Sequence, residues 1–176
     1  MQFSIRHSIE ILERTPDVLA RLTQGLSDDW TRQNEGGESW SVFDVVGHLV
    51  HGEITDWIPR AEIILSDKDN KTFEPFDRFA QFETSKGKSL DDLLMEFKYL
   101  RAVNLSKLRD FQITDADLQK TGIHPSFGIV TLEQLLSTWV VHDLNHIVQI
   151  SRVMAKQYKE SCGPWNAFLS VLGQSK

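Results

Sequence analysis

Over residues 131–156 the apolar positions Leu132, Leu135, Leu136, Trp139, Ile150 and Val153 recur at helical spacing, and Thr131 with Gln134 three residues on supplies a capping box. The pattern predicts a long amphipathic helix. Three polar side chains intrude on its inward face. His142 and His146 stand four residues apart, about 40° from each other around the helix axis, with His146 inside the apolar stripe and His142 at its margin. Asp143 also turns toward the stripe, near Trp139 and Ile147, a costly place for a carboxylate without a partner.

The same periodicity predicts three further long helices. Ile5, Ile9, Leu12, Leu19, Leu22 and Leu26 share one face over residues 3–26, interrupted at Thr15-Pro16, where a helix must kink or restart. Ser41, with Asp44 three residues on, caps a second helix over residues 41–65. Its apolar positions Val42, Val45, Val46, Leu49, Val50, Trp57, Ile63 and Ile64, with Phe43 and Ile54 further round, cover more circumference than one packing face needs. That surplus is read as a second contact surface, pointing to a homodimer. Pro59 should bend or end this helix nearby. Ser89 caps a third helix running to about Asp110, with Leu90, Leu93, Leu94, Phe97, Leu100, Val103, Asn104 and Leu108 in register.

Between these helices the chain is polar. Residues 27–37 form a loop or short turn with Trp30 as anchor. Residues 66–88 form a connection that is long for a bundle. Its phenylalanines Phe73, Phe76, Phe79 and Phe82 are read first as packing over the core, and alternatively as a lid or substrate wall. Residues 114–130 hold a short helical turn at 115–118 and then a turn or small hairpin, GIHPSFGIVT. After Lys159 the apolar residues Trp165, Phe168, Leu169 and Leu172 predict a short final helix packed back on the rest. The expectation is an all-α four-helix bundle in a single domain, residues 1–176, with a long loop between helices two and three and a short C-terminal helix.

Composition narrows the function. A chain of 176 residues, 40% hydrophobic and 25% charged, can bury a core without disulfides or a structural metal. A net charge of −6 argues against binding nucleic-acid phosphate. The single cysteine, Cys162, rules out an internal disulfide, fits a reducing, cytoplasmic setting, and has no neighbouring cation to activate it. No apolar leader is seen, and no stretch reaches the ~18 apolar residues of a membrane span.

The histidines carry the chemistry. His48 lies at the edge of the second helix's stripe, followed by Gly52 and Asp56 at four and eight residues, while His51 lies further toward the polar side. Packing that brings His48 opposite His142 and His146 makes a three-imidazole metal site with open positions, the arrangement of a catalytic metal. Zinc is the first expectation; nickel, iron and copper accept the same ligands. Asp143 or Gln149 would hold a ligating imidazole by its other nitrogen. A bare H-x-x-x-H also occurs as ordinary surface or hydrogen-bonded histidines, and the residue after His142 is Asp143, so the glutamate of H-E-x-x-H peptidases is lacking. His7, His51 and His124 have ordinary surface or turn explanations, although a rotated helix would let His51 replace His48.

Several pieces together resemble a known family. Trp40-Ser41 is followed by His48-Leu49; His124-Pro125, Phe127-Gly128 and Val130-Thr131-Leu132 lead into Trp139; His142-Asp143, His146 and Gln149 come next, and Gly163-Pro164-Trp165 closes the chain. In this order they resemble the DinB-like (damage-inducible B) bundle proteins, in particular the DinB_2 branch. The resemblance implies a four-helix bundle in which His48, His142 and His146 bind a divalent metal, and often a homodimer. Relatives include thiol transferases that use bacillithiol or mycothiol and a mycothiol-dependent maleylpyruvate isomerase. The implied activity is attack by a metal-activated, low-molecular-weight thiol on a small-molecule electrophile, and the first reading is a metal-dependent thiol S-transferase or hydrolase-like protein of detoxification. The rival readings are a non-catalytic metal-binding protein and a metal-free helical dimer that binds a ligand or another protein.

Overall fold

Capping side chains and two prolines set the helix boundaries. The computed structural model describes residues 1–173; the last three residues of the expected domain lie outside the described residues. In chain order it contains α1 (Ile5–Leu12), α2 (Thr15–Thr23), α3 (Asp28–Thr31), α4 (Val42–Thr55), α5 (Trp57–Leu65), α6 (Gln81–Thr84), α7 (Leu90–Asp110), α8 (Asp115–Leu118), a hairpin of β1 (Thr121–His124) and β2 (Gly128–Thr131), α9 (Leu132–Gln157), and 3-10 segments at Glu160–Phe168 and Ser170–Leu172. Ser41, Ser89 and Thr131 each accept from the backbone N–H three residues on, and Asp44, Asp92 and Gln134 accept in return from the capping residue's N–H. Four arms, α1–α2, α4–α5, α7 and α9, make the four-helix bundle.

Two arms are broken. Pro16 is the second residue of α2, where its missing N–H is no loss. The second arm divides at Asp56, three residues before Pro59. In a continuous helix the Pro59 ring would collide with the Thr55 carbonyl, whereas as third residue of α5 it occupies a position whose N–H has no intrahelical acceptor. The bend therefore falls upstream of the proline that causes it.

The strands pair antiparallel from Thr121 opposite Thr131 to His124 opposite Gly128. The long loop docks on the free edge of β1: the Phe73 N–H donates to the Ile123 carbonyl and the Ile123 N–H to the Lys71 carbonyl, both at 2.9 Å. Phe73 is thereby pressed into the core over Gly122, where a Cβ would lie 2.5 Å from the ring. Phe76 is half-buried beside His48, and Phe79 and Phe82 are exposed, so only the first two phenylalanines of the loop reach the interior.

Apolar side chains gather in two clusters. One contains Leu12, Trp57, Ile64, Phe73, Leu105, Leu136 and Trp139. The other contains Leu19, Val46, Leu49, Leu93, Phe97, Ile150 and Val153. Between them in sequence, on α4, α7 and α9, lie the buried polar residues Glu53, Arg101, Asn104, Asp143 and His146, with His48 beside Leu49 of the second cluster, so a polar layer interrupts the core at mid-bundle. The breadth of the α4 stripe is largely accounted for within the chain, since Phe43 is buried beneath Arg32 and Gly47 abuts α6, while Ile54 stays exposed.

The C-terminal segment is helical but of the 3-10 kind. Gly163 at φ 51°, ψ −128° and Pro164 interrupt it. Its aromatic residues do not pack back as expected: Trp165 and Phe168 are 71% and 80% exposed, and Leu172 alone of the four apolar residues is buried.

Candidate metal centre

His48 projects from the middle of α4 toward α9, where His142 and His146 stand one turn apart. The His142 Nε2 lies 3.2 Å from His48 Nε2 and 3.0 Å from His146 Nε2. One nitrogen from each of the three rings falls within 4.8 Å of the others. The Trp40 ring tilts over His48 at 4.8 Å, Phe76 meets it edge-on at 5.4 Å, and Trp57 meets His142 edge-on at 5.0 Å. Trp57 is in turn stacked on Trp139 at 5.8 Å. His51 touches Phe76 and stands outside the cluster, so the rotated alternative for α4 is excluded.

Burial keeps these imidazoles neutral. It pushes the His48 pKa down to about 3, with the neighbouring His146, His51 and Arg78 acting in the same direction. It pushes His142 down to about 2, again reinforced by the other two rings. His146 is lowered by burial as well, opposed by its bond to Gln149. The Gln149 Oε1 lies 2.7 Å from His146 Nδ1. An amide oxygen only accepts, so Nδ1 carries the His146 proton and Nε2 is left as a bare lone pair facing the other rings. The Nδ1 atoms of His48 and His142 are buried without a hydrogen-bond partner among the described residues. Tetrahedral zinc with bonds of about 2.0–2.1 Å separates its ligand nitrogens by roughly 3.3 Å, so three neutral imidazoles at this spacing fit a divalent ion.

Asp143 does not hold an imidazole. It is fully buried and takes a forked pair of bonds from Arg101, Nη1 to Oδ2 at 2.6 Å and Nη2 to Oδ1 at 3.0 Å. Arg101 also donates to Glu53 Oε1 at 2.8 Å and to the Leu12 carbonyl at 2.8 Å. Glu53 accepts further from Trp139 Nε1 at 3.1 Å and Asn104 Nδ2 at 3.0 Å. Burial raises the Glu53 pKa, and these donors oppose the rise. Arg101 and Glu53 carried no role in the sequence reading. Their trace was present nonetheless: Arg101 follows Phe97 by four and Glu53 follows Leu49 by four, each on a stripe of buried positions.

Beside the imidazoles opens a cavity of about 660 Å³. Trp40, Gly52, Trp57, Phe76 and Leu135 give it apolar walls, and Asp56, Arg60, Arg78, His124 and Arg152 bring polar groups to it. Gly52 and Asp56 thus occupy the side of α4 expected from their spacing. Burial raises the Asp56 pKa to about 6, against the pull of its ion pair with Arg60. His124 is a wall residue rather than a bystander: it stacks on Phe127, and its Nδ1 accepts from the Ser126 N–H, which leaves the ring proton on Nε2.

A model of the DinB_2 family, described as the DinB superfamily, matches residues 11–150. The chain belongs to the DinB superfamily. Two curated relatives are each 28% identical to it. One, from Bacillus mycoides (strain KBAB4), aligns over 148 residues, 81% of each chain. The other, YfiT from Bacillus subtilis (strain 168), aligns over 150 residues, 82% of this chain and 81% of that one. Both are named "Putative metal-dependent hydrolase". A solved structure of YfiT from Bacillus subtilis, described as having "an unusual four-helix bundle topology", matches with a TM-score of 0.73 at 23% identity, covering 91% of this chain and 90% of that chain. The DinB fold and the four-helix bundle read from the sequence are therefore both present, and no helix among the described residues is long and apolar enough to cross a membrane.

Proposed function

We propose that this DinB protein is a metal-dependent enzyme acting on a small molecule, with a divalent ion, zinc in the first instance, held by Nε2 of His48, His142 and His146. The observation that supports this most directly is the meeting of three largely buried, neutral imidazoles at the wall of a cavity large enough for a ligand, with His142 Nε2 3.2 Å from that of His48 and 3.0 Å from that of His146. A divalent ion there would act as a Lewis acid and bring the pKa of water or a thiol at its open position toward neutrality. The protein's own groups prepare that place. Gln149 fixes the tautomer of His146, and Trp40, Trp57 and Phe76 keep water from the backs of the rings. His124 presents an N–H donor at the cavity wall, and the Asp56–Arg60 pair places a carboxylate of near-neutral pKa on the same surface.

Two reactions suit this arrangement, hydrolysis, as in the names of the relatives, and transfer of a low-molecular-weight thiol. Metal content per chain, by elemental mass spectrometry on tag-free wild type and His142→Ala, tests the centre; stoichiometric metal lost in the variant is expected, and none in either protein after reconstitution with zinc or nickel overturns it. Cobalt-substituted protein then separates the reactions. A thiolate-to-cobalt absorption band on adding a small thiol favours transfer, while ester hydrolysis that His48→Ala abolishes, with no such band, favours the hydrolase. The proposal includes a cytoplasmic setting and a homodimer, for which Val141, Leu144 and Val148 offer an exposed apolar face on α9.

A further inference from the structure

We propose that the ligand of this cavity is a small organic anion, with a flat apolar body between Trp40, Trp57 and Phe76, a carboxylate paired with Arg78, and its reacting end at the three imidazoles. The reacting end rests on the metal-centre reading above; the anion does not. Three arginines line the cavity, and two already have carboxylate partners. Arg60 is paired with Asp56, and Arg152 donates from Nε and Nη2 to the two oxygens of Glu35 at 2.7 and 3.0 Å. Arg78 forms no ion pair and donates no hydrogen bond among the described residues.

Its position is nonetheless defined. The guanidinium lies over the Trp40 ring at 5.6 Å and the Phe79 ring at 5.2 Å. Contacts with aromatic faces hold a planar cation while leaving its N–H edge free to meet a carboxylate in a fork. Trp40 lies 4.8 Å from the His48 ring, so the guanidinium is no more than about 10 Å from that ring. An anion reaching from Arg78 to the imidazoles therefore has at most about one aromatic ring, or a short chain, between its carboxylate and its reacting atom. The wall along that path is aromatic. The neighbouring acids do not satisfy Arg78: Asp77 accepts from the Phe79 N–H, and Glu38, exposed on the cavity rim, is not within ion-pair distance.

The test uses a matched pair of probes, benzoate and benzamide, titrated calorimetrically into metal-free protein at low salt. Wild type should bind the acid roughly five- to tenfold more tightly than the amide, the usual effect of one charge-assisted pair at a part-exposed wall. The preference should weaken with added salt, persist in part in Arg78→Lys and vanish in Arg78→Met and Arg78→Gln, whose circular dichroism should match wild type because the residue is exposed. Equal binding of acid and amide, binding of neither, or a preference unchanged in Arg78→Met overturns the inference whatever the metal content. With zinc bound, 4-carboxybenzohydroxamate should also bind more tightly than benzohydroxamate. Failure to hold zinc removes only this second comparison, so the two readings fail separately.

Discussion

Replacing Arg101 with methionine puts the polar layer to the most direct test. The substitution keeps an unbranched, apolar side chain in the space and removes four hydrogen bonds, two to Asp143 and one each to Glu53 and the Leu12 carbonyl. Glu53 keeps its bonds from Trp139 and Asn104, whereas Asp143 keeps no side-chain donor and remains fully buried. Stranding a buried charge in this way costs about 3–5 kcal/mol, a large part of the 5–15 kcal/mol that holds a typical domain together. In urea, at about 2 kcal/mol per molar, the midpoint at pH 7.5 should fall by roughly 2 M. The pH dependence has a definite sign. Burial already raises the Glu53 pKa, and losing the cation removes most of what opposes that rise, so the penalty on Glu53 is complete above its raised value and shrinks as pH falls through it. The gap between variant and wild type should thus be smaller at pH 5.5 than at pH 7.5. Adding Asp143→Leu should recover part of the loss by removing the stranded carboxylate. A gap below about 1 kcal/mol at pH 7.5, or one that widens on acidification, would refute the reasoning.

Two further outcomes follow from the histidines. Gln149→Leu takes away the acceptor that fixes the His146 tautomer and should weaken zinc binding by about 10- to 100-fold in a competitive chelator titration while leaving the fold intact; unchanged affinity would show that the ring is oriented by packing alone. In metal-free protein, His48 and His142 are held neutral to about 3 and about 2. The unfolded state then binds more protons, so the stability they contribute is complete above about pH 6.5 and is lost as pH falls below it, on the order of 1 kcal/mol per pH unit for each. Urea midpoints of chelator-treated protein from pH 7.5 to 5 should fall accordingly, less steeply in His142→Leu, and a flat profile would contradict the burial of the rings.

Local chemistry made much of the fold readable. Capping boxes at Ser41, Ser89 and Thr131 announce helix starts because each depends on residues three apart. Period and spacing also placed His48, His142, His146 and Asp143 on inward faces, since facing is a property of one helix. Partners across helices depend on how helices are packed, and there the sequence alone was silent: nothing local tells that Asp143 meets Arg101 of α7 rather than an imidazole. Gln149 and His146 share α9 at a spacing of three, so that contact was within reach of the local pattern. The loop phenylalanines divided along the same line. Phe73 is buried because its own backbone joins the edge of β1, a pairing between segments fifty residues apart. The terminal aromatics failed for the opposite reason, because Gly163 and Pro164 break the helix that would have turned Trp165 and Phe168 inward.

The polar layer also explains how three histidines from two helices meet at all. The apolar stripes of α4 and α9 are built largely from Leu, Val and Ile, whose contacts are non-directional and fix register less sharply than ion pairs do. Sliding one helix along the other by a turn moves His48 about 5.4 Å relative to His142 and His146 and destroys the convergence of their nitrogens. It also breaks the bridge that Arg101 of α7 makes between Glu53 of α4 and Asp143 of α9, stranding one buried carboxylate at a cost of several kcal/mol that the apolar contacts do not impose. The apolar clusters thus supply most of the buried nonpolar surface, while the Glu53–Arg101–Asp143 triad adds a directional constraint on register. Arg101 need not touch an imidazole to matter to the centre. In the Arg101→Met protein, zinc affinity should fall along with stability, because the constraint that holds α9 in step with α4 has been removed.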